Sequence, residues 1–272
     1  MAGFQANSGR HFTVEVADEE DGGALRKRKF RSRAHANPLA DPQFEYPVSP
    51  MCVDWSVLYP AHCGTGDNKE MQRPIDFADI GCGFGGLLVD LGGKFPDKIS
   101  VGIEIREKVA SYVDQRIKAL RTENKDTNGF QNIGVVRTNA MKCIANFFKK
   151  GCLEKLFFCF ADPHFKAKNH RRRCINRNSL SEFGYILKEG GLLYVVTDVK
   201  ELQDWQLNLL DAHPLFEKLD VSEEKGDACW PLIFQSSEEA SKVARNEGNK
   251  YGAIYRRISL QASLDKQAKV TG

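Results

Sequence analysis

From residue 76 onward, short apolar runs alternate with longer segments of helical period. Runs over 76–80, 99–104, 133–137, 155–160 and 192–197 are rich in β-branched, aromatic and other apolar residues, and predict strands buried on both faces. Helical patterns fall between and after them, over 86–95, 106–123, 140–150, 180–187 and 201–213. That alternation is the mark of βαβ units, so the pattern predicts an α/β fold with a mostly parallel sheet and helices on both faces. Two more apolar runs, 216–221 and 251–258, bring the sheet to about seven strands. The stretch between them, 222–250, is too long for a tight hairpin and carries a helical piece near 238–245. Insertions of that length in compact domains are usually functional or mobile.

Upstream, residues 1–35 have few large apolar residues and opposite charge blocks, which predicts a disordered tail that orders on a partner. The domain proper spans 36–260, with a short C-terminal tail over 261–272. Composition adds mainly exclusions. No apolar run approaches the roughly 20 residues that span a bilayer, so no membrane role is expected. The N-terminus lacks the pattern of a secretory signal, and the chain reads as intracellular. The eight cysteines form no C-x-x-C pair and the six histidines show no ligand spacing, so reduced thiols and no metal are expected. The net charge of +3 hides local extremes: 26–33 reads RKRKFRSR and 166–174 reads KAKNHRRRC.

The first predicted strand runs into ADIGCGFGG, at the edge of the sheet where open α/β folds bind ligands. Gly81, Gly83 and Gly86 satisfy G-x-G-x-x-G, a pattern that is weak alone because structural turns share it. Asp79, two residues before Gly81, sharpens it. A carboxylate there repels a pyrophosphate but attracts the sulfonium and ammonium of S-adenosylmethionine. Glu104, ending the second strand, is placed to accept from ribose hydroxyls. The methyl-donor reading is therefore preferred over NAD-type binding and over a ligand-free turn. Asn139 and Ala140 follow the third strand. There an amide and backbone N–H groups either read an adenine edge or, for Asn139, merely cap a helix.

The fourth strand ends in Asp162-Pro163, and proline biases the preceding residue toward an extended backbone. Asp162 is the candidate catalytic residue. Directly after it come Lys166, Lys168, His170, Arg171, Arg172 and Arg173, read either as a solvated loop or as phosphate contacts that hold a nucleic acid during chemistry on a base.

Several further segments then fall into place together: RAHANPLADPQFEYPVSP at 33–50, DWSVLYP at 54–60, ADIGCGFGGLLVDL at 78–91, GIEIREKV at 102–109, GFQNI at 129–133, NAMK at 139–142, FADPHFK at 160–166, TDV at 197–199, HPLFE at 213–217 and YGAIYRR at 251–257. In this order they resemble the tRNA (guanine-N7-)-methyltransferases, and the eukaryotic catalytic subunit in particular. The resemblance covers roughly 33–258 and implies a Rossmann-like class I methyltransferase fold. It further implies that Gly81, Glu104, Ile105, Asn139, Ala140 and Cys159 contact S-adenosylmethionine; Asp79 and Gly83 join them on the turn chemistry given above. Asp162 matches the family's catalytic aspartate. Ser237, Glu238 and Glu239 match a Thr-Glu-Glu element that reaches cofactor and target base from the late insertion. The resemblance also implies a substrate guanine in the tRNA variable loop, a WD-repeat β-propeller partner forming a heterodimer, and a nuclear location, which RKRKFRSR suits.

Two departures stand out. Ala161 replaces the family's proline beside Asp162, which puts the stiffness of that loop in question, and Ser237 replaces a threonine but keeps the hydroxyl. The segments at 62–70 and 227–234 do not match the pattern. Two competing readings are a methyltransferase acting on protein or a small molecule, and an RNA-binding subunit with a vestigial cofactor pocket; intact Asp79, Gly81, Glu104 and Asp162 argue against the second.

Overall fold

The computed structural model describes residues 12–13, 26–30, 32, 36–39, 44–64, 70–245 and 248–271. Seven strands form one sheet: β1 (Phe77–Ile80), β2 (Ser100–Glu104), β3 (Ile133–Arg137), β4 (Leu153–Cys159), β5 (Leu187–Thr197), β6 (Phe216–Lys218) and β7 (Tyr251–Arg257). Their order is β3-β2-β1-β4-β5-β7-β6. β7 pairs antiparallel with both neighbours, and the pairings among β1 to β5 are parallel. β1 is buried throughout, as expected of a central strand covered on both sides.

Side chains alternate between the two faces. Phe77, Phe157, Tyr194 and Val196 meet Leu87 and Leu91 of α1 (Gly86–Lys94) and Ile233 of α6 (Trp230–Gln235). Ala78, Leu156, Phe158, Leu193 and Val195 face Leu180, Phe183 and Ile186 of α3 (Arg177–Ile186) and Leu210 of α4 (Lys200–Ala212). Each such large side chain contributes about 1.5–3 kcal/mol by leaving water. α2 (Glu107–Glu123) packs behind the glycine turn, where Val113 and Ile117 join Cys82 and Leu88.

Most predicted elements stand within a few residues of expectation, and three differ. The expected helix over 140–150 is a turn followed by a short 3-10 helix at Ile144–Asn146. Cys143 takes a left-handed backbone at φ +53, and Asn139 diverts the Met141 N–H into its own side chain at 3.0 Å, so a continuous ladder cannot start. The apolar spacing that mimicked a helix instead buries Ile144, Phe147 and Phe148 in the core. The insertion 222–250 holds α5 (Val221–Gly226) and α6 as well as the expected α7 (Glu238–Arg245). Residues 261–272, expected as a tail, lie largely in α8 (Leu260–Thr271), tied to the sheet by Lys266 Nζ donating to the Phe216 carbonyl at 2.9 Å.

Most of the expected tail 1–35 lies outside the described residues, as do positions 65–69 of the unmatched insertion. Lys27–Phe30 form a 3-10 turn on α2, with Phe30 edge-on to Tyr112 at 5.4 Å. Among the described residues no helix is long and apolar enough to cross a membrane.

Candidate active site

The turn after β1 is built on left-handed backbone, with φ +74 at Gly81, +55 at Gly83 and +76 at Gly85. At Gly81 a Cβ would meet open space, so the dihedral alone calls for glycine there. Gly86 has a different reason: its Cβ would lie 2.0 Å from the Ser236 carbonyl oxygen. The third glycine of the fingerprint thus makes room for the protein's own late insertion rather than for a ligand.

That insertion brings acid to the turn. Ser237 caps α7 by accepting from the Ala240 N–H at 2.9 Å. Glu239 Oε2 then lies 3.8 Å from the Cβ position of Gly83. Glu238 pairs with Lys27 and, at 3.7 Å, with Arg116, whose guanidinium also donates to the Phe84 carbonyl at 3.0 Å. Asp79, 3 % exposed, lies beneath the same turn. Burial first, then the neighbouring charges of Glu104, Glu239 and Glu238, push its carboxyl from 3.8 up to about 7. Cys159 ends β4 beside it, and burial together with Asp79 keeps that thiol protonated.

Glu104 is fully engaged. Its Oε2 accepts from Gly83 N at 3.1 Å and Arg106 Nη2 at 3.0 Å, while Oε1 accepts from Arg106 N at 2.8 Å and Nε at 3.1 Å. A ribose diol reaching this carboxylate must displace the Arg106 guanidinium. Ile105 follows, half-buried. Asn139 is buried and makes a local turn: Oδ1 accepts from Met141 N, and Nδ2 donates to the Pro38 carbonyl at 2.6 Å. The helix that Asn139 was expected to cap is absent, and its side chain closes a local turn instead. Ala140 lies buried next to it, and the buried Thr138 hydroxyl beside Asn139 has no hydrogen-bond partner among the described residues.

Asp162 stands two residues past the point where the Phe160 N–H reaches the Val196 carbonyl at 2.7 Å. β1 and β4 are neighbours, with Asp79 opposite Phe157, so Asp79 and Asp162 belong to the same sheet edge. Asp162 Oδ1 accepts from His164 N at 3.2 Å, and His164 Nδ1 lies 3.7 Å from Oδ2. Phe160 and His164 both take positive φ, at +54 and +44. Loop stiffness comes from these two positions and from Arg173 rather than from a ring at Ala161.

Arg173 corrects the expectation for the basic run. It is 2 % exposed, donates through Nε to the Pro163 carbonyl at 2.9 Å and through Nη2 to Glu201 at 2.7 Å, and lies over Trp205 at 4.9 Å. A guanidinium so enclosed holds its own loop instead of a phosphate. His170 is also drawn inward, edge-on to Trp205 at 5.3 Å and 3.5 Å from Glu201. Arg172 is half-buried, and Lys166, Lys168 and Arg171 are exposed.

Lys27 of the basic run and Arg106 of GIEIREKV, together with Arg116, close around Glu104 and Glu238. Their sequence segments give no sign of these pairings, and Arg116 carries no motif at all. The described residues hold no group of three His, Cys, Asp or Glu side chains arranged for a metal.

The strand order with one reversed strand, the glycine turn after β1 and the acid that ends β2 define a Rossmann-like class I methyltransferase. The family described as "Putative methyltransferase" matches residues 72–253. Curated proteins named tRNA (guanine-N(7)-)-methyltransferase are similar over nearly the whole chain. The one from Kluyveromyces lactis is 49% identical over 252 residues, covering 92% of this chain and 90% of that protein. The one from Yarrowia lipolytica is 50% identical over 246 residues, covering 90% and 82%, and that from Drosophila persimilis 50% over 236, covering 87% and 93%. The chain belongs to the tRNA (guanine-N(7)-)-methyltransferase family.

Proposed function

We propose that this chain transfers a methyl group from S-adenosylmethionine to N7 of a guanine in the variable loop of tRNA. The observation that carries the reading is the acidic turn: Asp79, Glu104 and Glu239 converge on left-handed glycines, and the Asp79 carboxyl is held up near 7 by burial first and then by its like-charged neighbours. Such a donor set fits a cationic ligand. Asp79 and Glu239 supply the negative potential, Gly81 and Gly83 the open backbone, and Ile105, Asn139, Ala140, Cys159, Ser237 and Glu238 the surrounding contacts. When bound, S-adenosylmethionine supplies an electrophilic methyl group on a sulfonium sulfur.

Guanine N7 carries an in-plane lone pair, so no base need remove a proton from it. The protein's work is positioning, which is worth on the order of 7–11 kcal/mol when a reacting pair is held in line. Asp162 and Glu239 accept from the guanine N1–H and exocyclic amine, a pattern adenine cannot offer. Those protons grow more acidic as N7 gains charge, so the carboxylates bind the transition state more tightly than the ground state. Lys166, Lys168 and Arg171 hold the RNA backbone at the rim.

The family resemblance supports a WD-repeat β-propeller subunit that helps hold the tRNA, and RKRKFRSR supports a nuclear location. Purified chain, with and without that subunit, is mixed with total tRNA and labelled methyl donor, and the product is mapped. N7-methylguanine in the variable loop is the expected result; label found on protein or small molecules instead would overturn the reading.

A further inference from the structure

Phe165 is 63 % exposed, a large aromatic side chain standing in solvent three residues after Asp162. Its exposure does not come from a loose loop. Asp162 accepts from the His164 N–H, Arg173 grips the Pro163 carbonyl, and His164 turns its ring inward toward Asp162. With the loop clamped on its inner side, the next residue is presented outward. Lys166 and Lys168 follow it, both exposed, and Arg171 is exposed on the 3-10 helix at Ala167–Arg172.

An aromatic ring interleaved with cations is the chemistry that holds single-stranded nucleic acid: the cations meet phosphates and the ring meets a base face. A guanine held by carboxylates at its N1–H and exocyclic amine while a methyl donor faces N7 is enclosed on both edges and has to leave its stack, which strips a neighbouring base of one stacking partner. We infer that Phe165 is a stacking platform for the unpaired RNA base adjacent to the target guanine, replacing the partner that the target's departure removes. This rests on the methyl-transfer reading above and adds a base-binding subsite to the same edge. Ring contact of this kind is non-specific for base identity, since every base has a π-face. Phe165 therefore fixes the displaced strand, while the carboxylates choose the guanine.

The test is a double-mutant cycle on the full chain together with the propeller subunit. The protein is wild type, Phe165→Trp, Phe165→Leu or Phe165→Ala, and the tRNA is intact or carries an abasic site next to the target guanine. Removing a stacked ring costs roughly five- to a hundredfold in affinity. Phe165→Ala and Phe165→Leu are expected to raise KM for tRNA about tenfold with kcat changed less, and Phe165→Trp to match wild type. The abasic tRNA should cost wild type a similar factor and cost Phe165→Ala almost nothing further. Melting temperature and cofactor affinity should not move, because the ring packs against little. Additive losses in the cycle overturn the subsite, as does a Phe165→Leu variant equal to wild type, or a Phe165→Ala loss that appears only as weaker binding of the propeller subunit. If wild type forms no N7-methylguanine, the reading of the whole site fails; if it does and the losses add, the subsite alone fails.

Discussion

The two ends of β1 carry aspartates only three residues apart that live in opposite electrostatic settings. At the entry, Asp76 accepts from Ile99 N at 2.8 Å and faces Arg73 and Lys98, each at 3.4 Å. Lys98 bridges on to Glu154 at 2.8 Å, which Lys188 also reaches at 2.6 Å. Burial works against the Glu154 carboxylate, yet the two ammoniums outweigh it and hold its pKa below the ordinary range. At the exit, Asp79 has no hydrogen-bond partner for its side chain among the described residues and sits among Glu104, Glu238 and Glu239. The first end is a completed ion network that ties strands together. The second is an arrangement that folding alone would not favour, and the missing partner has the charge of a sulfonium or ammonium.

Breaking that contrast most severely should be Asp162→Ala, which removes a carboxylate from the exit edge. Single-turnover methyl transfer is expected to fall about a hundred- to thousandfold with cofactor affinity nearly intact; an unchanged rate would remove Asp162 from the chemistry. At the entry, Asp76→Ala strands the Ile99 N–H and should cost roughly 1–3 kcal/mol of stability in denaturant unfolding, with cofactor binding preserved. Asp79→Asn should do the reverse, weakening cofactor binding about tenfold, or about 1.4 kcal/mol, by calorimetry, without loss of melting temperature.

The raised Asp79 carboxyl also sets a pH dependence. Because the folded chain keeps this proton up to about 7 while the unfolded chain gives it up near 3.8, the folded state binds more protons between those values. Its contribution to stability therefore declines as pH rises through that window, and Asp79→Asn should flatten the decline. Cofactor affinity should run the other way, rising through pH 7 as the carboxylate forms. The smallest effects belong to the rim. Replacing Lys166, Lys168 and Arg171 singly should lower tRNA affinity modestly and cut the salt slope by about one each. Arg173→Ala should leave the slope alone and lower kcat through the Asp162 loop; a reduced slope there would return Arg173 to the RNA.

The exit edge is legible in the sequence because its chemistry is local in the chain. Glycine spacing, Asp79 two residues ahead and Asp162 locked before Pro163 are short-range patterns. Arg173 shows the limit. In sequence it is one of three adjacent arginines, and only the approach of Glu201, Trp205 and the Pro163 carbonyl distinguishes it from Arg171. The failed helix at 140–150 has the same origin, since the spacing of Ile144, Phe147 and Phe148 records burial and is silent about the backbone that achieves it.

Periodicity and turn chemistry in the sequence alone determined the α/β class, the sheet's central strands and the glycine turn, because strand period and left-handed turns are properties of neighbouring residues. Tertiary structure alone decided that α7 returns to the turn, that Gly86 yields space to Ser236 and that Arg173 faces inward onto Glu201 and Trp205. Each of these is a contact between segments far apart in the chain, fixed by packing and charge compensation that no local pattern encodes.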